Sequence, residues 1–190
     1  MTKRENNIPK EFLQECFSYD EITGILTWNK RPMSHFKTKG GYGMWNTRFS
    51  GKEVGTNHSD KWGKLYLRTK LLNKFYRLHR IIWILVNGKS PEYIDHIDGN
   101  GLNNAIANLR NVTKIENKKN TKLMSSNTSG ICGVAFYERK GISKWYASIT
   151  VNKTTKALGS FNKKEDAIKV RKDAEIKYGF HENHGKKRPY

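Results

Sequence analysis

Asp95-His96, Asn108-Leu109-Arg110 and Glu116-Asn117 set out, in order, an acid beside a histidine, a short strand and a polar helix with an amide oxygen. Phosphodiester hydrolysis needs an activated water, a group that stabilises the leaving 3′ oxygen, and charge relief on the phosphate. A divalent ion serves the last two tasks. Asp and Asn offer hard oxygens that suit Mg²⁺ or Mn²⁺. A neutral His is the usual general base, contributing roughly 10²- to 10⁴-fold. The order therefore fits a phosphodiester-cleaving site with one divalent ion. An isolated Asp-His pair is commonly a surface hydrogen-bond pair; the strand and polar helix that follow set this one apart.

Adjacent residues on a strand point to opposite faces, so Asp95 and His96 need a bend to reach one phosphate. Gly99 and Gly101 can supply it. Asp98-Gly99 reads as a turn. The elements around this stretch must hold it. Tyr93–His96 and 109–112 read as strands, with a helix from about Lys114, where Thr113 and Glu116 fit a capping box. Upstream, residues 79–86 read as an apolar helix ended by Asn87-Gly88. Trp62 to Thr69 alternates as a strand, with 74–78 as its hairpin partner across Asn73. Residues 9–17 read as a short helix and 24–28 as a strand. The stretch 29–60 is glycine-rich, basic and without period, and is expected to form long loops ordered on DNA.

The chain holds 36 Lys and Arg against 17 Asp and Glu, a formal charge of +19. Residues 1–109 carry net +7 and residues 110–190 net +12. Such an excess repels itself unless a polyanion neutralises it. The basic residues alternate with aromatic and aliphatic ones, as faces of folded elements do. No basic amphipathic helix favours a membrane surface. Cys16 and Cys132 are too few and too far apart for a disulfide framework, which fits a reducing, cytoplasmic setting. No signal peptide or transmembrane run is expected.

Asp95-His96, Asn108-Leu109-Arg110 and Asn117 resemble the HNH (ββα-metal) nucleases, in particular homing endonucleases of phages and group I introns. Leu78-His79-Arg80-Ile81-Ile82-Trp83 also resembles the segment that precedes this motif in them. The resemblance implies that Asp95 binds the ion, that His96 is the base, that Asn108 braces the loop, and that Asn117 is the second ligand. Where the family name has His, this chain has Asn117, a variant found among phage relatives. Asn120, three residues on, is a rival ligand on the same helical face. His79 reads as structural. Arg80 reads as a phosphate contact or a helix-surface charge. Arg110 reads as a DNA contact, and Lys118, Lys119 and Lys122 as phosphate contacts or a solvated tether.

Residues 127–184 resemble the APETALA/ethylene-response-factor DNA-binding domain through Ser129 to Val134, Lys144 to Ile149, Leu158 to Phe161, Glu165 to Ala167 and Tyr178-Gly179. Three strands (134–138, 145–151 and 155–161) precede a helix expected to be capped by Asn162 and ended by Gly179. Its inward stripe is expected to be Ala167, Val170, Ala174 and Tyr178. Val134, Phe136, Trp145, Ala147 and Ile149 fall on the helix side. Tyr137, Arg139, Tyr146, Ser148, Thr150 and Thr155 fall on the other. In that family the sheet enters the major groove, a space wide enough for it. The resemblance thus marks Tyr137, Arg139, Tyr146, Thr150, Lys153 and Thr155 as DNA contacts.

The fold expected is α+β: a ββα-metal HNH module followed by a small three-stranded sheet packed on one helix. Its parts are 1–120 (DNA-binding elements and nuclease), 121–130 (basic linker) and 131–190 (DNA reader). The function expected is site-specific, homing-type cleavage of double-stranded DNA with one Mg²⁺ or Mn²⁺ ion and no small-molecule cofactor. A single constellation serves one phosphate at a time, which fits nicking of one strand. The rival readings are a non-cleaving DNA-binding regulator on the same fold and an RNA-binding protein.

Overall fold

The computed structural model describes residues 8–61, 63–121 and 123–186. Trp62, expected to start a strand, and Lys122, expected on phosphate, lie outside the described residues. The chain divides into two compact units, one ending at Asn111 and the other beginning at Val112.

The first unit opens with α1 (Lys10–Cys16), then β1 (Phe17–Tyr19) and β2 (Leu26–Trp28), which pair antiparallel with Phe17 opposite Trp28. The stretch expected as long loops is instead structured. It holds a 3₁₀ turn at Met33–His35, α2 (Lys39–Phe49) and β3 (Thr56–Ser59). Glycines at 40, 41 and 43 lower the helix propensity, which hid α2 from a sequence reading. Packing overrides them. Thr38 caps the helix by accepting from the Gly41 N–H at 3.1 Å, and Trp45 meets Trp28 edge-on at 4.9 Å. The Arg31 guanidinium lies 4.8 Å from the Trp45 ring and 5.1 Å from Phe36. The Asn46 amide exchanges two hydrogen bonds with the Arg31 backbone.

β4 (Leu65–Leu71) is the centre of a three-stranded sheet between β3 and β5 (Lys74–Arg77). Leu72 and Asn73 turn the β4–β5 hairpin with positive φ of 49° and 62°, the twist that two-residue hairpins favour. α3 (Leu78–Asn87) follows at once and ends on Gly88 in the left-handed conformation, as expected. Leu78, Ile81, Ile82 and Ile84 of α3 join Leu13, Leu26, Val54 and Leu71 in one core. Fully burying each such side chain contributes about 1.5–3 kcal/mol. β6 (Tyr93–His96) and β7 (Leu109–Val112) pair as a two-stranded sheet beyond α3.

The second unit begins with α4 (Lys114–Lys118), whose capping box is formed as read: Thr113 Oγ1 accepts from the Glu116 N–H, and Glu116 Oε2 accepts from the Thr113 N–H at 2.7 Å. β8 (Val134–Arg139), β9 (Ile142–Val151) and β10 (Thr154–Phe161) form an antiparallel sheet in the order β10-β9-β8, covered by α5 (Lys164–Lys177). Val134, Ala147 and Ala167 are its buried centre, with Trp145 packed against them.

Three details correct the sequence reading. Phe136 is 52 % exposed, because α5 lies over β9 and β10 and barely reaches edge strand β8. Asn162 does not cap α5. The helix starts at Lys164, Lys163 is its N-cap, and no side chain caps it; Glu165 and Asp166 instead complement the helix dipole in the first turn. The buried side of α5 also carries Arg171 and Glu175, paired at 3.1 Å, in addition to Ala167 and Ala174. Arg171 Nε donates to the Cys132 carbonyl at 2.7 Å. This buried ion pair offered no apolar signal in the sequence.

Candidate active site

Asp95 and His96 close β6, and both are buried. Arg110 on the paired strand β7 donates to Asp95 Oδ2 twice, from Nε at 3.1 Å and Nη2 at 2.7 Å. Arg110 therefore holds the Asp95 carboxylate in this structure.

Past His96 the chain turns. The Gly99 N–H donates to the His96 carbonyl, and Gly99 has φ +79°. Asn108 holds the loop that follows. Its Oδ1 accepts from the Asp98 N–H at 3.0 Å, and its Nδ2 donates to Asp98 Oδ1 at 3.0 Å and to the Asn103 carbonyl at 2.9 Å. Gly101 is required by space rather than by φ. A Cβ there would stand 2.2 Å from the Leu65 carbonyl oxygen and 2.8 Å from the Tyr66 ring. Hairpin β4–β5 thus seats the loop.

The His96 ring is 1 % exposed. Its Nε2 lies 3.3 Å from Asn104 Oδ1. The Asn104 amide nitrogen donates to the Leu102 carbonyl at 3.3 Å, which turns the oxygen toward His96. Nε2 is then the protonated nitrogen and Nδ1 carries the lone pair. Burial, reinforced by the nearby Lys64 ammonium, pushes the His96 pKa down to about 4, so the ring is neutral at pH 7. His79 of α3 stands edge-on to His96, with ring centroids 5.0 Å apart. Its Nδ1 is buried without a hydrogen-bond partner. Burial, with the His96 charge next, holds His79 well below the ordinary histidine range. Tyr66 completes the group, 5.6 Å from His79 and 6.0 Å from His96 between ring centroids.

Tyr66, Asn104 and Lys64 were not singled out by the sequence. Asn104 carried no signal: it is one of several Asn in a polar loop. Tyr66 and Lys64 were legible only as the polar side of an alternating strand. Arg80, read as either a phosphate contact or a surface charge, donates to the Pro91 carbonyl at 2.6 Å and to Ser90 Oγ, so it holds the chain just ahead of β6.

Asn117 lies on α4 in the second unit and is half-buried. α4 ends at Lys118, so Asn120 is not on the same helical face as expected; it follows the helix and is buried. Lys118 is exposed. Lys119 Nζ donates to the Tyr178 carbonyl at 2.6 Å, a bond to the end of α5. On the second sheet Tyr137, Arg139, Tyr146, Thr150 and Thr155 are exposed, as is Lys153 in the β9–β10 turn. The Thr150 and Thr155 hydroxyls share a hydrogen bond at 2.9 Å.

HNH endonucleases as a family match residues 76–119, the span from the end of hairpin β4–β5 through β6, the braced loop, β7 and α4. Protein 3.8 of Escherichia phage T7 is 41 % identical over 86 residues, covering 43 % of this chain and 69 % of the phage protein. The chain belongs to the HNH endonuclease family. A second relative, an uncharacterized HNH endonuclease of Acanthamoeba polyphaga mimivirus, is 35 % identical over 97 residues. That match covers 50 % of this chain and 48 % of the mimivirus protein. No solved structure matches. The HNH domain implies nuclease chemistry on DNA, and HNH nucleases generally use a divalent metal ion. The HNH match ends before β8. No helix among the described residues is long and apolar enough to cross a membrane.

Among the described residues no three His, Cys, Asp or Glu side chains gather as a ready metal cluster. Asp95 carries a carboxylate and Asn117 a carboxamide, and each offers a hard oxygen of the kind that suits Mg²⁺.

Proposed function

We propose that this HNH protein is a site-specific DNA endonuclease of homing type that hydrolyses one phosphodiester bond per site, nicking a single strand. The observation that carries the reading is the pairing of a buried, neutral His96 with the adjacent Asp95 ahead of an Asn108-braced loop.

His96 accepts a proton from the attacking water at Nδ1, while Asn104 holds Nε2–H and fixes the tautomer. A neutral ring at pH 7 is the form that can act as base. Asn108 keeps the loop after His96 in one conformation and so fixes the ring's orientation. Arg110 anchors the Asp95 carboxylate. A Mg²⁺ or Mn²⁺ ion held by Asp95 and Asn117 would relieve phosphate charge and stabilise the leaving 3′ oxygen. One such constellation acts on one phosphate, which favours open circles over linear product from a monomer. The β8–β9–β10 sheet reads the major groove through Tyr137, Arg139, Tyr146, Thr150, Lys153 and Thr155, in the manner of the APETALA/ethylene-response-factor domains that it resembles. The phosphate-rich duplex then answers the net charge of +19.

The test is incubation of the protein with supercoiled plasmid carrying its target, with Mg²⁺, with Mn²⁺ and with chelator. Open circles formed only with a divalent ion support the reading. Intact plasmid under both ions overturns it.

A further inference from the structure

Asn104, whose side-chain oxygen faces His96 Nε2 at 3.3 Å, is 2 % exposed and sits in a loop between β6 and β7. That distance is at the long end for an N–H···O bond, so a further shift of about 0.3 Å would forfeit it. The Asn104 backbone must therefore be held closely. The residues that hold it come from far away in the sequence. Tyr19 Oη, at the end of β1, donates to the Asn104 carbonyl at 2.9 Å across 85 positions. The Tyr19 ring packs against the main core. Burial pushes its phenol pKa up to about 12, so the hydroxyl keeps its proton at any ordinary pH.

The turn that follows Tyr19 lies against the same stretch of backbone. Gly24 in that turn has φ +75°. A Cβ on it would stand 2.3 Å from the Ala105 nitrogen and 2.6 Å from the Asn104 carbonyl carbon. Glycine alone permits both the conformation and the approach. The turn is itself fixed. Asp20 Oδ1 accepts from the Ile22 and Thr23 N–H groups at 2.9 and 3.1 Å, and the Gly24 N–H donates to the Asp20 carbonyl at 2.9 Å. Asn104 is thus gripped by a hydroxyl and seated on a rigid turn, both belonging to the β1–β2 hairpin.

We propose that Tyr19 is a positioning residue for His96: with Gly24 as the seat, it fixes the Asn104 backbone, and the Asn104 amide in turn keeps His96 as the Nε2–H tautomer. The hydrogen bond made at one ring nitrogen decides where the lone pair of the other stands. With Nε2 protonated, the lone pair is on Nδ1. In the other tautomer it is on Nε2 and faces Asn104, where it takes no proton from water. The consequence for cleavage rests on the endonuclease reading; the tautomer itself does not.

The test is Tyr19→Phe in the full-length chain, which keeps the packed ring and removes the donor. Long-range nitrogen–proton NMR spectra of the imidazoles report the His96 tautomer without DNA or metal. Wild type is expected to show a protonated Nε2 and an unprotonated Nδ1. In Tyr19→Phe the two nitrogen shifts are expected to move toward each other as the second tautomer becomes populated. The cleavage rate is expected to fall roughly 2- to 10-fold, the worth of one ordinary hydrogen bond, with duplex affinity unchanged. Ile84→Val, a core variant on α3, controls for lost stability and should leave the His96 shifts in place. Unchanged His96 shifts in Tyr19→Phe overturn the proposal, as does a wild-type ring protonated at Nδ1 or an equal shift in Ile84→Val. The expected tautomer shift in a chain that never cuts defeats the endonuclease reading alone.

Discussion

The Arg110 guanidinium donates twice to a single oxygen of Asp95, so the acid at the end of β6 is held by a cation on its partner strand. Asp95 is 4 % exposed, and removing the guanidinium would leave a buried carboxylate short of two charge-assisted hydrogen bonds. Arg110→Met is expected to cost about 1–3 kcal/mol, with the third of its side chain that meets solvent keeping the loss toward the low end. Urea unfolding of variant and wild type measures it. A change under a few tenths would mean that the pair does not hold β6.

Asn108 makes three hydrogen bonds across the loop from Asp98 to Asn103. Asn108→Ala is expected to lower the cleavage rate by loosening the chain after His96, while duplex affinity stays close to wild type. Faster amide exchange at residues 98–104, measured alongside the rate, marks the loop as the cause. Slow cleavage with unchanged exchange would assign Asn108 a different role.

Gly101→Ala tests the seat of the loop on the hairpin. The added methyl would meet the Leu65 carbonyl, a backbone atom that cannot move alone. Overpacking of this kind costs about 1–3 kcal/mol, so the variant is expected to melt below wild type. Gly43→Ala has nothing within reach of its new methyl and lies in the middle of α2. It should stabilise the protein by about 0.4–1 kcal/mol.

Acidification should weaken the fold through the paired histidines. Unfolded, each titrates near 6.5. Folded, His96 is held down to about 4 and His79 well below its ordinary range, both chiefly by burial. Between those values the unfolded chain binds more protons, so stability falls as the pH drops from about 6.5 toward 4. The slope reaches up to about 1.4 kcal/mol per pH unit for each histidine. Denaturant midpoints across that range measure it, and His79→Phe should flatten the curve. A midpoint that holds steady from pH 7 to pH 4 would contradict the neutral, buried pair.

The Asn108 brace of the loop after His96 was legible because the two residues lie close in sequence. The β4–β5 hairpin was legible because its period of two survives on both faces. α2 was not, since Gly40, Gly41 and Gly43 argue against a helix and only tertiary contacts of Trp45, Phe36 and Arg31 decide for one. Asn104 and Tyr66 reach His96 from a loop and from a sheet, and long-range contacts of that kind leave no local pattern. The ion pair of Arg171 and Glu175 was hidden for a related reason: two charged residues four apart on a helix read as a solvated face until the partner surface is known.

The central claim is that His96 is the base that activates the water. The most direct measurement is the cleavage rate of His96→Ala against wild type, on target plasmid with Mg²⁺, with duplex affinity measured on the same preparations. A base acts on the water and adds little to ground-state binding. The account predicts a rate lower by roughly 10²- to 10⁴-fold with affinity unchanged. Cleavage at the wild-type rate, or loss of binding and cleavage in equal measure, would contradict it.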